Sequence, residues 1–114
     1  MGRESIAVGS KTRASRFPAK PLETLAADRV ITAAEIERYQ FFTFDPGGGA
    51  RNLDLPAEAS SRGAVLYVAN AADAAEVITI RDDAAATICT PTQGETAVVF
   101  CDGTSWRGLV GAAT

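Results

Sequence analysis

From Tyr39 to Val110 the chain is a succession of short runs that alternate apolar and polar side chains, with turn formers between them. No other feature limits its fold as tightly. Alternation with period two sends one side of each run into a core and the other towards water. Short runs at roughly ten-residue spacing, bounded by Gly, Pro, Asp and Asn, specify strands.

Tyr39–Phe44 is the first strong run and is rich in aromatics, and Asp45-Pro-Gly-Gly-Gly49 must turn. Arg51–Leu55 puts Leu53 and Leu55 on one face, and Pro56 ends it. Ala64–Ala69 is apolar on both sides, the pattern of a strand covered on both faces. Glu76–Ile80 directs Ile78 and Ile80 inwards, and Ala86–Thr90 follows. Thr96–Cys101 and Ser105–Val110 are joined through Asp102-Gly103, a tight-hairpin signal, with Trp106 expected over the sheet beside Phe100 or Val98. Ahead of them, Thr32-Ala-Ala-Glu35 has the pattern of a capping box opening one or two helical turns; alternatively Arg29–Thr32 is a strand.

No interval is long enough for a helical crossover, so the pairing is expected to be antiparallel. The fold class is therefore all-β: an antiparallel β-sandwich or jelly-roll-like body over 30–114, preceded by an extended arm over 1–29. The arm is punctuated by glycine and proline. Its large apolar groups, Ile6, Val8, Phe17, Leu22 and Leu25, are spaced like pegs for another surface.

Charge separates the same two parts. Residues 1–20 hold Arg3, Lys11, Arg13, Arg16 and Lys20 against Glu4 alone, whereas from Val30 onwards five arginines face eleven acids. A basic arm on an acidic body suits an acidic partner surface or a neighbouring copy. The 114 residues make one small domain, and much of its apolar content is alanine. A core of that size stabilises a fold only marginally, so association with identical copies is a natural supplement.

The side chains that chemistry needs are scarce. Histidine is absent from the sequence, and no lysine lies beyond Lys20, so neither Cys89 nor Cys101 has an evident base. Both cysteines lie in apolar runs and read as small buried hydrophobes, with a disulfide between them left open. Most aspartates fall where turns need them. Arg81-Asp82-Asp83 lacks the alternating oxygens of a calcium loop, and Gly47-Gly48-Gly49 lacks the context of a phosphate loop. No catalytic residue, metal or cofactor is expected. The acidic body argues against nucleic acid. Residues 1–20 have no apolar segment of a secretory signal, and no run approaches the ~18 apolar residues of a membrane helix, so synthesis in the cytoplasm is expected.

Phe44-Asp45, Leu53-x-Leu-Pro56, Gly63-x5-Ala69-Asn70, Ala75-x2-Ile78-x-Ile80-x-Asp82, Gly94-Glu95 and Cys101-Asp-Gly-x-x-Trp106-Arg107 together resemble a β-domain of tailed-bacteriophage structural proteins. The pattern is similar to head decoration (cement) and head-fibre proteins and covers 44–107, with the Asp-Gly-x-x-Trp ending as its sharpest part. The resemblance implies a homotrimeric virion protein on the outer surface of the capsid. It would clamp neighbouring subunits of the major capsid protein, with neighbouring decoration trimers as further partners. Arg3, Ile6, Val8, Lys11, Arg13, Arg16 and Phe17 would then form the capsid-contact arm. The rival reading is a receptor- or glycan-binding module of a tail fibre, with Tyr39, Tyr67 or Trp106 stacking on sugars.

Overall fold

All seven alternating runs fold as strands in the computed structural model, which describes residues 16–111. They are preceded by two minimal strands, β1 (Glu23–Thr24) and β2 (Arg29–Val30), and by helix α1 (Ala33–Arg38). The remaining strands are β3 (Phe41–Asp45), β4 (Arg51–Asp54), β5 (Val65–Asn70), β6 (Ile78–Arg81), β7 (Thr87–Cys89), β8 (Thr96–Cys101) and β9 (Trp106–Gly111). Among the described residues the protein is all-β apart from α1 and one 3-10 turn at Glu58–Ser60.

Two sheets form, in the orders β1-β3-β5-β8-β9 and β2-β4-β6-β7. Both are mixed. The pairs β1–β3, β3–β5, β2–β4 and β4–β6 are parallel, and only β5–β8, β6–β7 and β8–β9 are antiparallel. This corrects the expectation of an antiparallel sandwich or jelly roll. Parallel neighbours need a crossover, and here a strand of the opposite sheet supplies it in place of a helix. From β1 to β6 the chain alternates between sheets at every strand, so it winds as a flattened coil whose turns stack in register. After β6 it reverses through β7, crosses to β8 and closes with the β8–β9 hairpin.

The core lies between the sheets. Phe42, Phe44, Leu66, Val68, Ala97 and Val99 of one sheet meet Leu53, Ile78 and Ile80 of the other in one buried cluster that includes Leu55. Leu53, Leu55, Ile78 and Ile80 are thus inward, as their alternation requires. The Thr32–Glu35 capping box forms, and Tyr39 ends the helix in extended backbone.

Three details depart from the sequence reading. Trp106 pairs with Cys101 and is buried between the sheets, with Nε1 donating to the Pro56 carbonyl at 2.8 Å. Phe100 and Val98 point to the opposite side, so Trp106 does not sit beside them; strand parity decides this. The hairpin loop is also longer than a two-residue turn, because Asp102 accepts from the Thr104 and Ser105 amides at 2.9 and 2.8 Å. Finally, the stretch from Pro18 to Arg29 is extended but joined to the body. The Lys20 amide donates to the Phe41 carbonyl, and β1 and β2 each extend a sheet. Leu25, read as a peg, belongs to the core.

Candidate binding surface

Strand parity gives the five-stranded sheet a second face, turned away from the core. The register across it is Phe41, Tyr67, Val98, Leu109, one residue from each of four adjacent strands. A second row runs Val65, Phe100, Arg107. Tyr67, Val65, Phe100 and Leu109 are exposed, and Phe41 and Val98 are partly so. Ring edges meet along the first row: Phe41 lies 5.1 Å from Tyr67, and Phe17 lies 6.1 Å from Phe41, both edge to face. A shallow depression of about 460 Å³ opens there, lined by Phe41, Phe42, Thr43, Tyr67, Ala69 and Thr96. No charged side chain stands in the Phe41–Leu109 row; Arg107 at the rim is paired with Asp102 at 3.1 Å.

Of the expected arm residues, Arg3, Ile6, Val8, Lys11 and Arg13 lie outside the described residues. Arg16 and Phe17 are described and exposed. Phe17 is brought to the sheet by the next residues: the Pro18 carbonyl accepts from the Gln40 and Phe41 amides, and Ala19 bridges Phe41 in parallel. The N-terminal segment therefore joins the body at the edge of the apolar face. The aromatic strand at Phe41–Phe44 was the available signal for this face. What the sequence withheld was that its outward half would lack a cover among the described residues.

The charged groups of the body are largely committed to structure. Arg29 sits between Glu23 and Glu35, donating to Glu23 from Nε and Nη2 (both 2.9 Å) and to Glu35 from Nη1 (2.8 Å) and Nη2 (2.6 Å). Lys20 adds a 2.7 Å bond to Glu23, and the Arg29 guanidinium lies over the Phe44 ring. The Arg29 hydrogen bonds hold both carboxyls down, from 4.5 to about 2. Arg81 likewise grips Asp54 through two bonds, 2.7 and 3.0 Å.

Two places could invite chemistry. Cys89 and Cys101 are free thiols; burial pushes the Cys89 thiol up, and the Cys101 sulfur contacts the Glu58 carbonyl and the Gly103 amide at 3.4 Å. Cys89, held neutral by burial, is a poor nucleophile. Asp45, Asp73 and Glu76, from the ends of β3 and the β5–β6 loop, bring one carboxylate oxygen each within 4.8 Å of the others. Glu76 Oε1 is buried without a hydrogen-bond partner among the described residues. Three hard oxygens suit a calcium-like cation and fall short of the six to eight it takes. Sequence reading missed this group because Asp45 is distant in the chain from Asp73 and Glu76. Trp106 is unavailable for stacking on a sugar, being buried. Among the described residues, no helix is long and apolar enough to cross a membrane.

Comparisons of the chain with protein-family models, with curated proteins and with solved structures found no match.

Proposed function

We propose that this chain is a non-catalytic structural protein: a trimeric decoration or cement protein that binds the outer surface of a tailed-phage capsid. It clamps neighbouring subunits of the major capsid protein. The observation that carries the reading is the uncharged apolar face of the five-stranded sheet, with the basic N-terminal segment leaving from its edge at Phe17. A wide apolar face with paired charges around it is built for protein contact. The basic segment supplies a second, electrostatic element of a kind that suits an acidic lattice surface. In this reading the body associates with its own kind, and Arg3, Ile6, Val8, Lys11 and Arg13 of the capsid-contact arm reach along the capsid, while Arg16 leads into Phe17, which ties the arm to the sheet edge. The motifs over 44–107 that resemble phage head proteins agree with it.

The test is co-sedimentation with capsids of the phage that encodes the chain. The full chain is expected to pellet with capsids, and a chain lacking residues 1–15 to remain in the supernatant while keeping its fold. Equal binding by the truncated chain would remove the arm from the account, and failure of both to bind would remove the capsid.

A further inference from the structure

Strand β5 reads as a strand with two covers, yet among the described residues it has one. Leu66 and Val68 are buried against the opposite sheet, while Val65 and Tyr67 stand in solvent. We infer that the missing cover is a second copy of this chain, packed by the outer face of its own five-stranded sheet against the same face here. The contact is isologous and closes on two copies, so it names a two-fold self-association surface and does not itself supply the threefold contact of the trimer proposed above, on which it does not rest.

The size of the face supports it. Phe17, Val65, Tyr67, Phe100 and Leu109 are 58%, 39%, 39%, 43% and 64% exposed. With about 150–250 Å² for each fully exposed aromatic residue, and somewhat less for Val and Leu, these fractions leave about 450 Å² of apolar surface. A stable interface takes about 800 Å² from each partner, a little over half of it apolar. The face therefore supplies the apolar share of one such interface, with Thr43, Thr96 and Arg107 available as its rim.

Its chemistry selects the occupant. The Phe41–Tyr67–Val98–Leu109 row carries no charge, so it needs no complementary charge and can meet itself. Two sheet faces pack about 10 Å apart with side chains interdigitated, a geometry that fits flat rows of this kind. The chain's own N-terminal segment is the other candidate. Residues 1–15 contain only Met1, Ile6 and Val8 as large apolar groups, and would bring Arg3, Lys11 and Arg13 onto the Phe41–Tyr67–Val98–Leu109 row, which carries no acid; Asp45 lies on the same face only at the far end of β3. A second copy therefore suits the face better than that segment does.

Sedimentation equilibrium of the full chain, without capsids, tests this independently of the proposed function. The wild-type chain should sediment as an oligomer in the micromolar range. Leu109→Asp should shift it to a monomer, and Val98→Thr, a near-isosteric change on a partly exposed site, should weaken association at least tenfold. Both variants should keep the wild-type circular dichroism spectrum. Removal of residues 1–15 should leave the oligomer intact. A monomeric wild-type chain, or an undiminished oligomer in both variants, overturns the inference. Dissociation on deleting residues 1–15 overturns it too, in favour of arm exchange.

Discussion

Ala85 is the one described residue other than glycine with a left-handed backbone, at φ 68°. It is held there by the β6–β7 turn, in which Asp82 Oδ1 accepts from the Ala84 and Ala86 amides, both at 2.9 Å. A Cβ in that region costs about 1 kcal/mol, which glycine does not incur. Ala85→Gly should therefore raise the thermal midpoint by about 2–6 °C, as read by circular dichroism. Gly47 shows the opposite demand: its φ is +73°, and a Cβ would stand 2.1 Å from the Leu25 carbonyl oxygen. The acid group at Asp45, Asp73 and Glu76 gives a second expectation at this scale. Its carboxylates repel one another, so in chelator Asp73→Asn should raise the midpoint by about 1–3 °C. A fall in the midpoint would show that the charge is wanted there. Turn roles for Asp82 and Asp102 were legible in the sequence, because an aspartate satisfies amides a few residues ahead of it. The meeting of Asp45 with Asp73 and Glu76 was not, because it depends on which loops the winding brings to one end.

Elements were legible for a related reason. Alternation is local, so β3 to β9 and the capped helix α1 could be read from the residues that form them. Pairing is not local. Nothing in Phe41–Asp45 says that its neighbour is Val65–Asn70 in parallel, since that follows from β4 serving as the crossover between them. The first turn of this coil is fastened by charge: Arg29 on β2 ties Glu23 on β1 to Glu35 on α1. Because both carboxyls have folded values near 2 against 4.5 ordinarily, their contribution is complete above pH 4.5 and is lost as the pH falls towards 2. The thermal midpoint should fall through that window. Arg29→Met leaves the partly buried Glu35 without a cation and Glu23 with Lys20 alone, and should cost about 1–3 kcal/mol at neutral pH. In that variant the midpoint should depend far less on pH between 4.5 and 2, and an unchanged acid profile would show that other groups carry it. At the other end, Gly108 permits the close approach of β9: a Cβ there would lie 2.8 Å from Val99 Cγ1 and 3.2 Å from Ile88 Cγ2, on β8 and on β7 of the opposite sheet.

For the whole molecule, the sequence marked a basic N-terminal stretch and an acidic β body, and the structure moves the join between them. From Pro18 onwards the chain belongs to the sheets, so any free-reaching arm is confined to the residues ahead of Arg16. The sequence also marked β5 as apolar on both sides without showing which side would find a cover inside one chain. Among the described residues, the outer side around Tyr67 and Val65 is the uncovered one. The account therefore depends on this protein not acting alone. Native mass spectrometry of the full chain tests that most directly. The account predicts a discrete multiple of the 11.9 kDa chain mass at micromolar concentration. A single species at 11.9 kDa would contradict it.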